Sequence, residues 1–390
     1  MNAFRFQNPT ALYYGKGLIE EHLASETLKF GRKVLLVYGG GSIKRSGLYG
    51  KVLGLLVAAG VETFELSGVE PNPRLTTVRR GIEICRREGV ELILAVGGGS
   101  VLDCAKAIAM GTVYRGDVWD LYERPGEARA TGALPLGTVL TLAATGSEMN
   151  SGGVITNWET KEKLGGGSPY TYPKFSFCDP ENTFTVPRDQ TVAGICDIMA
   201  HCFEQYFTPT PDVPLQLHLM EAVMKTVVEH GRAAVDHPDD YAAREAIMYA
   251  GTMALNGMIG MGVTGDWANH TMEHELSAEY DIPHGGGLAI LFPHWMDYVK
   301  DVDPHRFASL GAQVFGVDPA GKDVGRLAAE AIARVREFFA SIGAPQRLRD
   351  YDIGPADLPR LAGQAVRFGD IGQFRKLGAS DVLAILRSAL

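Results

Sequence analysis

A chain of 390 residues with 46% hydrophobic content is long enough for two or three domains with substantial cores, which excludes a small stapled scaffold. The formal net charge of -9 argues against nucleic acid or an anionic membrane as the main partner, because both need clustered lysine and arginine. Cys85, Cys104, Cys178, Cys196 and Cys202 are scattered without CxxC spacing, the pattern of reduced core residues in a cytosolic protein rather than a disulfide framework.

The opening "MNAFRFQNPTALYYGKG" lacks the basic-then-apolar pattern of a secretory leader, and no apolar run approaches the ~20 residues of a membrane span, so a cytoplasmic location is expected. Apolar runs then recur, each closed by glycine or a turn: "KVLLVYGGGS" from Lys33, "VETFELSG" from Val61, "VELILAVGGGS" from Val90 and "LPLGTVLTLAATGSE" from Leu134. These read as buried strands. Between them "GLYGKVLGLLVAAG" and "TTVRRGIEICRREG" repeat apolar positions three and four apart, as a helix does. Alternating strands and helices predict a parallel α/β sheet with crossovers on its faces. From Thr191 the segments lengthen and become helical in period, as in "DDYAAREAIMYAGTMALNGMIG" and "VGRLAAEAIARVREFFASIG". The expected organisation is a Rossmann-like α/β domain over 1–187 and an all-helical domain over 188–390. Interdomain clefts are a preferred place for small-molecule sites.

Two glycine loops, Gly39-Gly40-Gly41-Ser42 and Gly97-Gly98-Gly99-Ser100, each follow an apolar strand and precede a helical segment. Glycine lets backbone N–H groups approach phosphate oxygens, and a helix start adds partial positive charge. Neither loop is the GxGxxG fingerprint, since Lys44 and Leu102 stand where the third glycine belongs, and neither is a Walker loop. Asp103 and Lys106 follow the second loop, and Lys44 and Arg45 lie just past the first, where a ribose or its 2′-phosphate fits.

Three histidines, His270, His274 and His284, gather in "WANHTMEHELSAEYDIPHGGG". His270 and His274 share a helix face at i and i+4, while His284 sits where proline and glycines are expected to break the helix and fold the chain back. The earlier "CDIMAHCFEQY" puts Asp197 and His201 on one face in the same way. Together they offer a carboxylate and several imidazoles to a first-row divalent metal. Spacing leaves open whether His270 pairs with His274 or either pairs with His284. "HTMEH" also matches the HxxEH pattern of inverted zinc peptidases, with Glu273 as general base, although a peptidase has no use for two strand-end glycine loops.

These residues resemble the iron-dependent alcohol dehydrogenases, within them the branch of butanol dehydrogenases and NADPH-dependent aldehyde reductases. "YGGGSIKRSGLY", "VEPNPRLTTV", "AVGGGSVLDCAKAIA", "LAATGSEMN", "VITNWETKEKLG", "CDIMAHCFEQYF" and "HTMEHELSAEYDIPHGGGLAILFPHWM" carry the resemblance in order along essentially the whole chain. It implies the dehydroquinate synthase-like fold, with Asp197, His201, His270 and His284 as ligands of Fe²⁺ or Zn²⁺ and His274 beside the nicotinamide and the substrate. It places the pyrophosphate on Gly98, Gly99 and Ser100 near Asp103, and further cofactor contacts at Asn72, Thr141, Thr145 and Lys163, with Leu142 interrupting a double threonine of some relatives. His294 recurs in the family and reads as structural. Members preferring NAD(H) often carry aspartate at the position of Gly39; here Gly39, Gly40, Gly41, Ser42 and Lys44 favour NADP(H).

The implied reaction is hydride transfer between NADP(H) and a primary alcohol or aldehyde, the metal polarising the substrate oxygen and His274 supplying the proton. The partner is a small molecule, and a homodimer formed by edge strands near the N-terminus follows from the resemblance. The same architecture also serves glycerol-type polyol dehydrogenases and dehydroquinate synthase-like lyases, which stand as alternatives. More remote are the peptidase and a noncatalytic nucleotide-binding protein.

Overall fold

The computed structural model describes residues 1–123 and 127–390. By backbone proximity these form two compact units: Gln7–Val186 with Pro238–Met248, and Met1–Phe6 with Pro187–His237 and Tyr249–Leu390. The first unit holds strands β1 (Ala11–Tyr14), β2 (Lys33–Tyr38), β3 (Glu62–Leu66), β4 (Leu92–Gly97), β5 (Leu136–Leu140), β6 (Gly152–Asn157), β7 (Glu162–Gly167) and β8 (Phe175–Cys178). Its helices are α1 (Leu18–Leu28), α2 (Ser42–Arg45), α3 (Leu48–Ala58), α4 (Leu75–Glu88), α5 (Gly99–Val113) and α6 (Asp120–Glu123). Among the described residues one all-parallel six-stranded sheet runs in the order β1-β8-β5-β4-β2-β3, and β6 and β7 pair separately as an antiparallel hairpin.

Strand pleating explains why the sheet strands read as unbroken apolar runs. Val34, Leu36, Leu92 and Leu94 face the side covered by Ile19 and Leu23 of α1 and by Val52 and Leu56 of α3. Leu35, Val37, Ile93 and Ala95 face the other side, against Val78 and Ile82 of α4 and Leu102 and Ala105 of α5. With both faces covered, alternation of apolar and polar residues disappears. Helices α4 and α5 meet through glycine notches: a Cβ at Gly81 would strike Ile108, and one at Gly111 would strike Ile82. Filling either notch would force the helices apart.

The second unit contains α7 (Arg188–Tyr206), α8 (Pro214–Asp236), α10 (Ala268–Tyr280), α11 (His284–Val299), α12 (Pro304–Phe315), α13 (Val324–Ile342), α14 (Leu358–Ala365) and α15 (Ala379–Ser388). Helix α9 (Tyr241–Ala254) crosses the division between Met248 and Tyr249. Among the described residues no helix is long and apolar enough to cross a membrane.

The glycines after His284 differ from the expected helix break. They lie inside the first turn of α11, with Pro283 as its N-cap. A Cβ on Gly285 would collide with the carbonyl oxygen of Ala193 in α7, and one on Gly286 with the Tyr351 hydroxyl. Their missing side chains therefore serve close approach, which outweighs the low helix propensity of glycine.

Candidate active site

The glycine loops sit side by side because β5, β4 and β2 are neighbours and parallel, so all their carboxyl ends open on one edge of the sheet. That edge is where α/β sheets take ligands. The two loops are unequal. Gly97 ends β4 and Gly98 caps the 15-residue α5 without a side-chain cap, leaving first-turn N–H groups to face a ligand. Gly41, at φ 106°, instead leads only into the four-residue α2, too short to carry much of a helix dipole.

Close packing makes the second loop a backbone surface. A Cβ on Gly99 would lie 2.5 Å from Thr145 Cγ2 and 2.6 Å from its Oγ1, and one on Gly98 would lie 3.1 Å from Leu142 Cβ. Leu142, which interrupts the expected pair of threonines, thus packs over the gap left by Gly98. Thr141 ties its N–H to the Gly97 carbonyl at 3.0 Å. The Asn72 loop reaches the β6–β7 hairpin through an Arg74–Thr156 bridge and a bond from Thr156 N–H to the Pro73 carbonyl, 2.9 Å long. Lys163 pairs with Thr156 in that hairpin and is buried, as is Asn72, whose φ is 51°.

Asp103 points inward. Its carboxylate accepts from the Ser147 hydroxyl at 2.7 Å and from the Val154 N–H at 2.9 Å. Lys106 donates to Ser147 Oγ, Asn150 Oδ1 and the Gly152 carbonyl, and burial pulls its pKa down to about 8 against the opposing pull of Asp103 and Glu148. This pair braces the segment from Thr145 to Gly152. Lys44 is exposed, with Nζ 5.0 Å from the Tyr38 ring and 4.6 Å from the Tyr49 ring, while both tyrosine hydroxyls donate to Glu65.

In the helical unit the sequence-predicted metal residues come together. His201 Nε2, His270 Nε2 and His284 Nε2 lie 3.7, 3.9 and 3.7 Å from a single atom, Asp197 Oδ1. These separations are too long for hydrogen bonds, and they approximate the ~3.5 Å between ligand atoms sharing one tetrahedral ion at about 2.1 Å. Asp197 Oδ1 and His270 Nε2 are buried without a hydrogen-bond partner. Such orphaned groups are costly unless something binds them. The donor set and its unsatisfied atoms fit a divalent first-row ion.

Two glutamates stand behind this set. Glu204 Oε1 accepts from His270 Nδ1 at 2.8 Å, and Glu273 accepts from His284 Nδ1 and from the Ser277 hydroxyl. A carboxylate only accepts, so each Nδ1 is the donor, and in the neutral ring the lone pair then sits on Nε2. Glu204 carried no assignment in the sequence reading; its place one turn after His201 on α7 is the signal that was available. His274, in α10, stands outside the convergence on Asp197, with its ring centroid 5.6 Å from that of His284. Ligand atoms of Asp197, His201 and His270 lie within 4.8 Å of one another as one candidate cluster, while His284, whose Nε2 is 3.7 Å from Asp197 Oδ1, falls with Glu273 and His274 in a second, where Glu273 faces its Nδ1. That geometry argues against the peptidase reading, which needs His270 and His274 as joint ligands with Glu273 as base.

Helix α10 is bounded at both ends by left-handed residues, Trp267 at φ 64° and Asp281 at φ 56°. The Trp267 indole meets the His270 ring edge-on at 5.2 Å and lies 6.4 Å from that of His201. His294 bonds Ser388 through Nδ1, and burial lowers its pKa to about 4.

Residues 9–180 match the model of iron-containing alcohol dehydrogenases, and residues 191–390 match the C-terminal model of the Fe-containing alcohol dehydrogenase family. The chain is 52% identical over its whole length to all of a probable NADH-dependent butanol dehydrogenase of Bacillus subtilis (strain 168). It is 37% identical, over 93% of this chain and 92% of the relative, to the NADPH-dependent aldehyde reductase YqhD of Escherichia coli (strain K12). The crystal structure of NADH-dependent butanol dehydrogenase A from Thermotoga maritima superposes with a TM-score of 0.94 at 39% identity, covering 100% of this chain and 99% of that one. The chain belongs to the iron-containing alcohol dehydrogenase family and is an oxidoreductase.

Proposed function

We propose that the protein transfers hydride between NADP(H) and a primary alcohol/aldehyde pair, with Fe²⁺ or Zn²⁺ held by Asp197, His201, His270 and His284. The observation that carries this reading is the convergence of three Nε2 atoms on the unpartnered Asp197 Oδ1. A divalent ion there supplies Lewis-acid polarisation of a substrate oxygen, and a nicotinamide supplies or accepts the hydride. The backbone of Gly98, Gly99 and Ser100 binds the pyrophosphate. Asn72, Thr141, Thr145 and Lys163 orient the rest of the coenzyme, while Asp103 acts from behind by holding Ser147 and Val154. His274 delivers a proton to the product oxygen in the reducing direction.

The choice of NADP(H) rests on Gly39 to Ser42, which offer no carboxylate to repel a 2′-phosphate, and on the exposed Lys44 ammonium nearby. Relatives carry names of both kinds, NADH-dependent and NADPH-dependent. We further place the enzyme in the cytoplasm as a homodimer, the latter supported by β1 lying at a sheet edge.

The test is anaerobic purification with metal analysis, followed by a panel of aldehydes with both coenzymes. The reading expects near-stoichiometric divalent metal and one NADPH oxidised for each aldehyde reduced. Recycling of the nicotinamide without net oxidation would favour the lyase, and preference for NADH would overturn the coenzyme assignment.

A further inference from the structure

We infer that Glu204 and Glu273 are positioning residues of the metal centre whose negative charge sets its affinity for a divalent cation, and that Glu204 also joins the two ligand-bearing segments. This rests on the metal reading proposed above. Glu204 is fully buried, and among the described residues no lysine or arginine forms an ion pair with it. Its Oε1 accepts from the His270 N–H at 3.0 Å as well as from Nδ1, and its Oε2 accepts from the Trp267 N–H at 2.5 Å. Its own backbone carbonyl accepts from Asp266 N–H at 2.7 Å.

One carboxylate on α7 therefore caps the N-terminus of α10, where N-cap Trp267 makes no side-chain cap bond and Asp266 takes only the Ala268 N–H, and grips the first imidazole on it. The helix N-terminus offers partial positive charge to this carboxylate. That partial charge is smaller than the full charge of a desolvated carboxylate. The remaining compensation lies beyond the imidazole, where a divalent ion would sit. Glu273 repeats the device on the other side: fully buried, it holds His284 Nδ1, and the notch at Gly287 leaves room for its chain, since a Cβ there would lie 2.8 Å from Glu273 Cγ. Two of the three ligand imidazoles are thus backed by buried anions, which raises the basicity of Nε2 and fixes its direction before any ion arrives.

The experiment titrates metal-free protein with Co²⁺ against a competing chelator at fixed pH and reads the ligand-field absorption. Glu204→Gln and Glu273→Gln remove a charge at nearly constant shape. Glu221→Gln is the control, because Glu221 is also buried in the helical unit but, among the described residues, accepts from the Tyr206 and Ser309 hydroxyls and not from a histidine. Co²⁺ affinity should fall roughly 10- to 100-fold in Glu204→Gln and in Glu273→Gln, with an altered absorption band for Glu204→Gln, and stay within about twofold in the control. Folded variants that bind Co²⁺ as tightly as the parent would overturn the inference. If Glu204→Gln does not fold, Glu273→Gln alone decides the charge effect, and Glu204→Asp, which keeps the charge, should recover affinity. A parent protein that binds no Co²⁺ would sink the metal reading itself, a result distinct from equal binding by parent and variants.

Discussion

His274 and His284 hold their rings 5.6 Å apart, yet only His284 directs a nitrogen at Asp197, the carboxylate on which the other imidazoles converge. Adjacent imidazoles with different neighbours imply separable roles. His284→Ala should lose metal and activity together. His274→Ala should keep its metal, measured by elemental analysis, while turnover falls on the order of 100-fold or more, as expected for a lost proton donor. Full metal occupancy in His284→Ala would remove that residue from the ligand set.

A carboxylate placed on the first glycine loop should change coenzyme choice. At Gly39 a Cβ would meet only the Val69 carbonyl oxygen at 3.4 Å and Val101 at 3.8 Å, so Gly39→Asp is sterically tolerable. Like-charge repulsion of a 2′-phosphate costs several kcal/mol, so kcat/KM for NADPH relative to NADH should drop by roughly 100-fold. Steady-state kinetics with both coenzymes check this, and Lys44→Ala should weaken NADPH selectively.

Gly99 faces two demands that a paired substitution can separate. Gly99→Ala drives its Cβ into Thr145, at a cost of about 1–3 kcal/mol for overpacking, and also obstructs the backbone surface proposed for phosphate. Adding Thr145→Ala should restore much of the stability in urea unfolding while coenzyme affinity stays below that of Thr145→Ala alone, the reference needed because Thr145 is itself a proposed coenzyme contact. Recovery of both together would show that the glycine serves packing alone.

His294 gives the acid side of the stability profile a definite sign. Its folded pKa, lowered by burial to about 4, lies below the ordinary 6.5, so the unfolded chain takes up the proton first as pH falls. Stability from this group is complete above about pH 6.5 and is lost towards pH 4, by on the order of 1 kcal/mol after allowance for solvent screening. His294→Gln should flatten that window relative to the parent, as read by urea unfolding across pH.

The sequence made the central strands legible because β2, β4 and β5 are buried on both faces and therefore largely apolar. It concealed β1 and β8, each only four residues long, whose parallel pairing joins Ala11 to Phe175 and leaves no local trace. The β6–β7 hairpin was hidden too, since Gly165, Gly166 and Gly167 resemble a loop; Gly166 is kept small by Tyr122, whose ring a Cβ would meet at 2.7 Å. The Asp197/His201 pair was visible in helical spacing. Which imidazoles converge was not, because that depends on Gly285 fitting against Ala193 across helices. The part of Glu204 was equally illegible, as its partners lie on another helix.

The left-handed residues at both ends of α10 turn that helix into a gauge block. With Trp267 and Asp281 fixing where it starts and stops, inserting even one residue between them would swing His270 about 100° relative to His284 and shift it about 1.5 Å. Surface loops tolerate added length, but length variation inside this segment would dismantle the proposed ligand set in a single step.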